Sequence, residues 1–323
     1  MNFCTLFDSN YLTRGLALYY SLEKECSDFH IYIFAFDDRT FSILNNLKLK
    51  NATTISLKEF EDDELLKVKP TRSVAEYCWT ATSSTILFVL SKFKVESCTY
   101  IDSDLFFYSS PKPIFDEMDD SSILLTEHRY YKLYDKSKIA GVYCVQFITF
   151  KNDEISLTAL KWWRERCLEW CFNRIENGKF GDQKYLDDWT TRFKNVHILQ
   201  HLGGGVAAWN VQQYKIIESS NNLIVNNYGV KAPLIFYHFH YLRFLQNNKI
   251  ELGRRKLSKE VLNLLYAPYI HELEKYKIII SQIDNSFDPN GTSSTIFSWK
   301  SPIIYLWRKL RGTYNIYPLS YFD

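Results

Sequence analysis

The chain has 323 residues, enough for one large domain or two smaller ones. Hydrophobic residues make up 46% and charged residues 24% of it, which excludes a disordered or low-complexity chain. The formal net charge of +2 gives no reason to expect a nucleic-acid partner, and we expect none.

The first part of the chain alternates between short apolar runs and amphipathic segments. Strands are predicted at 3–7, 30–36 and 53–57, and helices at 11–24 and 40–48 lie between them. Alternation of this kind is typical of an α/β fold, in which helices cover a mostly parallel sheet.

The remaining elements follow at wider spacing. In chain order they are a helix at about 73–93, strands at 99–101, 122–126 and 143–150, a helix at 154–173, a helical segment at 184–193, strands at 196–199 and 233–240, helices within 257–283 and a helix at 298–311. The character of the sequence changes after about residue 250. We therefore predict a catalytic domain over 1–250 and a C-terminal helical extension over 251–323.

The strongest chemical signal is the segment Tyr100–Phe107, in which an apolar strand ends in Asp102 and Asp104. Ligands of open α/β sheets bind beyond the carboxyl ends of the strands. Two carboxylates there can share a divalent cation that also contacts substrate phosphates. Taken alone, such a pair is more often a solvated acidic turn.

Two later segments strengthen this interpretation. Asp182 and Gln183 lie between a glycine break and a helix, where the alternative role for Asp182 is a helix N-cap. His238 and His240 lie two apart on an apolar strand and so share one face. A single strand histidine is usually a buried structural residue, but a pair beside a carboxylate site indicates a metal ligand.

The order of these motifs along the chain, from the turn after the first strand to the D-x-D segment, Asp182–Gln183 and the strand with His238, resembles that of the GT-A glycosyltransferases. The resemblance is strongest to glycosyltransferase family 8 and its bacterial lipooligosaccharide galactosyltransferases. The resemblance covers roughly residues 1–245 and implies a Rossmann-like, mostly parallel central sheet flanked by helices. The segment Phe7–Tyr11 is similar to that family's nucleotide-binding turn. This similarity implies that Asp8 and Asn10 contact the uridine and that Tyr11 stacks near the base.

The same resemblance implies a metal and donor site. Asp102 and Asp104 would hold Mn²⁺ or Mg²⁺ as well as the donor ribose and diphosphate, with Ser103 between them, and His238 would be the third metal ligand. His240 would assist the diphosphate, a role that Lys231 or Arg243 could share.

Asp182 and Gln183 match the family's pair beside the donor sugar. The family usually has an arginine in the helix before the D-x-D segment, and residues 76–83 contain none. Residues 143–146 replace its Asn-Ala-Gly strand start. These departures indicate a diverged branch.

The resemblance implies transfer of a sugar, most simply from a UDP-sugar, to a bacterial surface glycan such as lipopolysaccharide or capsule. It also implies retention of configuration, although Asp182 could equally be the general base of an inverting reaction. Two alternatives remain open, a D-x-D metal-dependent phosphatase and a non-catalytic sugar-nucleotide-binding protein.

Two further segments have expected roles. Trp209 and Asn210, after a triple glycine, are expected to face the sugar or the acceptor. The helix at 298–311 carries Ile303, Leu306, Trp307 and Leu310 on one stripe, with Arg308, Lys309 and Arg311 off it. This pattern predicts contact with an anionic membrane surface, the alternative being a helix docked on its own domain.

The sequence also predicts a compartment. The N-terminus lacks a basic segment followed by an apolar one, and no stretch reaches about 18 apolar residues. The seven cysteines form no C-x-x-C pair. We therefore expect free thiols and a cytoplasmic protein, peripheral on the inner face of the cytoplasmic membrane if the last helix binds lipid.

Overall fold

The computed structural model describes residues 1–220, 222–294 and 301–323. The first three residues of the predicted helix at 298–311 therefore lie outside the described residues. The strands, in chain order, are β1 (Asn2–Phe7), β2 (His30–Ala35), β3 (Ala52–Ser56), β4 (Ser97–Ile101), β5 (Leu105–Phe107), β6 (Ile123–Glu127), β7 (Tyr143–Lys151), β8 (Val196–Ile198), β9 (Val206–Ala207), β10 (Lys215–Ser219), β11 (Asn222–Asn227), β12 (Val230–Pro233), β13 (Phe236–His238), β14 (Leu242–Leu245), β15 (Lys249–Leu252) and β16 (Ile316–Pro318). The helices are α1 (Leu12–Glu25), α2 (Asp38–Leu47), α3 (Leu57–Phe60), α4 (Asp63–Val68), α5 (Val74–Phe93), α6 (Lys112–Met118), α7 (Ser137–Ala140), α8 (Glu154–Glu169), α9 (Trp189–Arg192), α10 (Lys259–Val261), α11 (Ala267–Ile283) and α12 (Ser301–Leu310).

The central sheet has the strand order β3-β2-β1-β4-β7-β6-β8. All its pairs are parallel except those of β7, which runs antiparallel to both β4 and β6. The predicted α/β fold with a mostly parallel central sheet is therefore confirmed.

Helices cover both faces of this sheet. Phe3 and Ile31 belong to the core beneath α1 and α11, whereas their chain neighbours Cys4 and Tyr32 belong to the core beneath α5 and α8. Strands buried on both faces read as continuous apolar runs, which is why β1 and β2 are apolar throughout. A capping box at Ser73 and Glu76 begins α5, the helix that follows Pro70.

A small sheet of order β5-β13-β9 sits at the end of β4. The chain passes from β4 through residues 102–104 directly into β5. In the small sheet, His238 pairs with Leu105 on one side and with Ala207 on the other. The topology thus places the end of β13 beside the two carboxylates of the D-x-D turn.

The C-terminal segment packs on the α1 face of the molecule. The ring of Tyr276 on α11 stacks on Tyr20 of α1, with centroids 5.0 Å apart. Leu273 and Ile280 share one hydrophobic core with Phe3, and β16 pairs with β15. A division of the chain at residue 250 remains a prediction. Within the described ranges, no helix combines the length and apolar character needed to cross a membrane.

Several predicted bounds differ from the observed ones. Helix α8 ends at Glu169 rather than at 173, because Trp170 is extended and its indole Nε1 donates to Glu176 Oε1 at 3.1 Å. The segment at 184–193 divides into a 3₁₀ turn, Gln183–Leu186, and the short helix α9. The strand predicted at 233–240 reaches only from Phe236 to His238.

Candidate active site

The D-x-D turn is held by backbone hydrogen bonds from two directions. The backbone N–H of Asp102 donates to the carbonyl of Gln146 on β7 at 3.1 Å. The backbone N–H of Phe239, just after β13, donates to the carbonyl of Asp104 at 3.0 Å. The turn therefore bridges the central sheet and the small sheet, and both carboxylates lie at the carboxyl end of β4.

These carboxylates meet the histidines that follow. His238 Nε2 lies 2.9 Å from Asp104 Oδ1 and 3.7 Å from Asp102 Oδ2. The ligand atoms of Asp104, His238 and His240 all lie within 4.8 Å of one another. Two of the predicted metal ligands, Asp104 and His238, thus lie together with His240, which the sequence assigned to the diphosphate. Asp102, the third predicted ligand, lies near His238 but outside this group.

The orientation of His238 depends on Gln146. Nδ1 of His238 lies 2.8 Å from Gln146 Oε1, so Nδ1–H donates and Nε2 faces the carboxylates. The indole of Trp209 packs on both imidazoles, with centroids 5.0 Å from His238 and 5.5 Å from His240. Sequence reasoning missed this role of Gln146, whose only signal was its place in the departure at 143–146.

Burial and mutual charge set the protonation of this group. Burial raises the pKa of Asp102 to about 6. Burial acts on Asp104 in the same direction, but the charge and hydrogen bond of His238 outweigh it and hold the pKa of Asp104 at about 2. Burial, with the charge of His238, lowers the pKa of His240 to about 3. Near neutral pH, Asp104 is therefore ionised and His240 neutral, the forms that bind a metal. Burial lowers the pKa of His238, but the charges of Asp104 and Asp102 outweigh it and raise that pKa, so His238 must lose a proton before it can bind a metal.

Asp182 lies close enough to Asp102 to feel its charge. Burial, with the charge of Asp102, raises the pKa of Asp182 to about 7. Its side chain makes no capping hydrogen bond to the 3₁₀ turn that follows, so the alternative role of an N-cap is not observed. Gln183 is half-buried and begins that turn.

The predicted nucleotide turn follows β1. The carboxylate of Asp8 accepts hydrogen bonds from the backbone N–H of Asn10 at 3.0 Å and from its Nδ2 at 3.1 Å. Tyr11 is partly exposed, and the guanidinium of Arg14 lies 4.5 Å from its ring centroid. Burial raises the pKa of Tyr11, the charge of Arg14 acts to lower it, and the charges of Asp104 and Asp8 act to raise it. The turn therefore lies within electrostatic range of the D-x-D site.

Buried Arg14 ties this turn to two distant segments. It donates to the carbonyls of Asn10 at 3.2 Å, Leu242 at 3.1 Å and Asn290 at 3.1 Å. Asn290 itself is fully buried, and its side chain bonds to Thr13 and Glu274. Residues after β13 and after α11 thus fix the backbone of the Asp8–Tyr11 turn.

The prediction that Asn210 faces the sugar or the acceptor is wrong. Asn210 is fully buried, its Oδ1 accepts from the N–H of Ala207, and its Nδ2 donates to the carbonyls of His128 and Gly205. Its side-chain amide is fully hydrogen-bonded within the protein and therefore cannot face a sugar. Trp209 is also buried and supports the histidines instead.

The structure also locates Ser103, Arg243 and Lys231, which were predicted to lie at the donor site. Ser103 is buried within the turn. Arg243 pairs with Glu251 on β15. Lys231 is exposed on β12.

Comparisons with known proteins give relatives and a fold. No protein-family profile matches the chain. YfnF of Bacillus subtilis (strain 168), an uncharacterized protein, is 36% identical over 303 residues, which cover 90% of this chain and 97% of YfnF. YfnD of the same strain, also uncharacterized, is 30% identical over 295 residues, covering 88% of this chain and 92% of YfnD.

Among solved structures, the galactosyltransferase LgtC in complex with donor and acceptor sugar analogs covers 85% of this chain and 96% of its own. It has a TM-score of 0.52 and 10% identity. Mouse xyloside xylosyltransferase 1 covers 74% of this chain and 98% of its own, with a TM-score of 0.46 and 11% identity. At such low identity the likeness to LgtC concerns the fold, and it confirms the predicted GT-A architecture. This chain belongs to the family that includes YfnD and YfnF, and it has the GT-A fold.

Proposed function

We propose that this protein is a metal-dependent glycosyltransferase that moves a sugar from a nucleotide-diphosphate sugar, a UDP-sugar, to a bacterial surface glycan or glycolipid. The observation that carries the proposal is the group formed by Asp104, His238 and His240, whose ligand atoms lie within 4.8 Å of one another. This group sits at the carboxyl end of β4, within electrostatic range of the Asp8–Tyr11 turn. Ligands of open α/β sheets bind at this edge.

The donor atoms of this group fit a divalent transition metal. Mg²⁺ requires oxygen ligands, whereas imidazole nitrogen favours first-row transition metals, so a mixed set favours Mn²⁺ over Mg²⁺. Asp104, His238 and His240 would hold the ion. Asp102, which the sequence also predicts as a ligand, lies 3.7 Å from His238 Nε2. A bound cation supplies charge neutralisation for the leaving diphosphate.

The protein residues would position the donor around this centre. Asp8 and Asn10 would contact the uridine, and the partly exposed ring of Tyr11 would stack near the base. Asp182 and Gln183 would lie beside the donor sugar. A buried Asp182 that is half-protonated near pH 7 could exchange a proton with the reacting groups, and retention of configuration remains the proposed outcome.

The experiment that tests this proposal is a thermal-shift screen with UDP, GDP, CDP and dTDP, each with Mn²⁺ or with EDTA. A ligand that binds only the native state raises the melting temperature by mass action. We expect a Mn²⁺-dependent shift with UDP that Asp104→Ala abolishes. Asp116→Ala, which removes an exposed carboxylate of α6, serves as the matched control and should keep the shift.

Each alternative has its own result. Absence of a shift with every nucleotide would contradict the metal–diphosphate site and return attention to phosphatase chemistry. Binding of UDP-sugars with no transfer and no donor hydrolysis would favour a non-catalytic sugar-nucleotide-binding protein.

We further propose that α12 rests on an anionic membrane surface. Its side chains Ile303, Leu306, Trp307 and Leu310 are exposed. Lys309 and Arg311 flank this apolar face. Arg308 does not contribute, because it is buried against the protein.

A further inference from the structure

A cleft of about 500 Å³ adjoins the histidine group. Its walls come from residues 133–136, from Tyr241 and Arg243, and from residues 251–255. Tyr241 directly follows His240, and the two ring centroids are 4.2 Å apart. Tyr241 therefore connects the lining of the cleft to the proposed metal group.

Tyr241 and Gly253 both line the cleft and lie close to each other. Its φ is +70°, which is uncommon for a bulky residue, and its ring is half-exposed. A Cβ on Gly253 would lie 3.3 Å from Cβ of Tyr241, so little space separates the two segments. An exposed aromatic ring fixed in this way offers an apolar face to a sugar ring.

The cleft carries an excess of positive charge. Arg243, Arg254, Arg255 and Lys136 line it, against the carboxylates of Glu251 and Asp135. Both carboxylates already have partners within the protein.

Buried Glu251 is shared by three arginines. Arg243 pairs with it directly, Arg308 lies 3.1 Å from it, and Arg254 lies 3.9 Å from it. Asp135 accepts a hydrogen bond from the backbone N–H of Ser137 at 2.8 Å.

Arg255 has no carboxylate partner within the described ranges. Its guanidinium lies 5.6 Å from the ring centroid of Tyr134, and its carbonyl accepts from Asn315 Nδ2 at 2.6 Å. The segment that carries Arg254 and Arg255 is therefore fixed. Because the single charge of Glu251 is divided among Arg243, Arg254 and Arg308, and Arg255 has no carboxylate partner among the described residues, this wall keeps a net positive charge for a ligand. Planar guanidinium groups bind phosphate and carboxylate through two parallel hydrogen bonds.

We propose that this cleft binds the acceptor, and that the acceptor carries a phosphate or carboxylate group next to the sugar that is extended. The anionic group would lie on Arg254 and Arg255, and the sugar ring on Tyr241. This inference rests on the proposed function and names the substrate class for the same site. Among the described residues lining the cleft, none comes from the Asp8–Tyr11 turn or from residues 102–104, so the cleft adjoins the donor site without containing it.

The test compares three probes that differ only at carbon 6 of one sugar: glucose, glucose 6-phosphate and glucuronate. Their binding is measured by isothermal titration calorimetry on the full chain, with and without saturating UDP and Mn²⁺. The variants are Arg254→Gln and Arg255→Gln, and Lys132→Gln is the control that removes an exposed positive charge outside the cleft. UDP affinity is measured for each variant separately.

We expect glucose 6-phosphate or glucuronate to bind the UDP-saturated protein at least about tenfold more tightly than glucose, since a hydrogen bond to a charged group contributes about 1.5–3 kcal/mol. Each arginine variant should remove that preference, and Lys132→Gln should keep it. The stronger of the two anions identifies the charged group of the acceptor.

Two results would overturn the inference. Equal binding of neutral and charged probes would contradict the proposal that the acceptor is anionic. A loss of UDP affinity in the arginine variants would assign the arginines to the donor diphosphate. If UDP does not bind the wild-type chain but the anions still do, the proposed function fails while the anion cleft stands.

Discussion

The imidazole of His238 is oriented by a hydrogen bond to the side chain of Gln146. Gln146 accepts a hydrogen bond from Nδ1 and so leaves Nε2 toward Asp104. The amide Nε2 of Gln146 is buried without a hydrogen-bond partner among the described residues. Groups that orient a metal-ligating histidine commonly change metal affinity by 10–100-fold when they are replaced.

We predict that Gln146→Leu weakens Mn²⁺ binding by about 10–100-fold while the protein stays folded. Leucine has a similar volume but cannot accept the hydrogen bond, so the imidazole loses its fixed orientation. Titration of Mn²⁺ by calorimetry in the presence of UDP measures the effect. Gln200→Leu, at an exposed position, is the control, and equal Mn²⁺ affinity in both variants would contradict a positioning role for Gln146.

Asp182 predicts a pH dependence of stability. Its pKa is raised from 3.8 to about 7, chiefly by burial, so the native state binds the proton more tightly than the unfolded chain does. The native state therefore loses stability as the pH rises from about 4 to about 7. The loss is at most a few kcal/mol, since one pKa unit corresponds to about 1.4 kcal/mol.

Asp182→Asn should remove this loss because asparagine stays neutral. Urea unfolding in EDTA at pH 4.5 and pH 7.5 measures it, and the variant should gain stability relative to wild type at the higher pH. Asp116→Asn should follow the wild-type profile. A parallel profile for Asp182→Asn would show that its carboxylate is not desolvated.

At the residue scale, the site was predictable where chemistry and strand ends coincide. Asp102 and Asp104 follow an apolar strand, and the histidine pair has an unusual spacing. The grouping of His240 with Asp104 could not be predicted from the sequence, because it depends on the pairing of His238 with Leu105, 133 positions away in the chain. Gln146 carried no signal of its function.

Among the elements, the loop before β9 is held by a very close backbone approach. A Cβ on Gly203 would lie 1.8 Å from the carbonyl oxygen of Pro233, and the carbonyl of Gly203 accepts from the N–H of Ile235 at 3.0 Å. Glycine is required here by space, and the contact fixes the chain that enters β13.

We predict that Gly203→Ala destabilises the protein by about 3 kcal/mol or more, since a backbone neighbour cannot move aside as a side chain can. It should also weaken Mn²⁺ binding, because β13 carries His238. Chemical unfolding and Mn²⁺ titration measure the two effects. Gly178→Ala, where a Cβ meets nothing within 4 Å but φ is +76°, should lose only about 1 kcal/mol and should keep metal binding. Equal effects of the two changes would refute the contact.

At the element scale, long buried segments were predictable and short ones were not. The helix α5 was predicted within one residue, and the structure shows a capping box at its start. Strands β9 to β12 were missed, since they have two to six residues and a mixed pattern that pairs with distant or equally short partners. Their pairing, rather than their composition, defines them.

For the whole molecule, α12 predicts binding to anionic membranes. Leu306 and Leu310 are 59% and 79% exposed, and the guanidinium of Arg311 lies 4.1 Å from the ring centroid of Trp307. We expect the protein to sediment with phosphatidylcholine vesicles that contain phosphatidylglycerol, and less so at high salt.

The double change Leu306→Ser and Leu310→Ser should reduce this binding at least about tenfold, since burial of one leucine contributes about 1.5–3 kcal/mol. Ile278→Ser, which alters an exposed apolar side chain on α11, is the control. Binding that ignores lipid charge, or that survives the double change, would contradict the prediction.

At this largest scale, the helical pattern predicted the apolar stripe of α12 but not the direction of its arginines. Arg308 turns inward because buried Glu251 and the carbonyl of Gly253 accept its hydrogen bonds and its charge. A helical wheel contains only the residues of one helix, so it cannot show that Arg308 contacts another segment of the protein.

This inward arginine fixes the position of α12 relative to the cleft. Arg308 on one side of α12 contacts Glu251 in the wall of the cleft, while the apolar side chains point away from the protein. A helix is about 10–12 Å in diameter with its side chains. A bilayer bound to α12 would therefore lie about one helix width from the arginines. An acceptor anchored in that bilayer would need only a short stem to reach them, so the enzyme would favour early, membrane-proximal sugars over the far ends of long glycans.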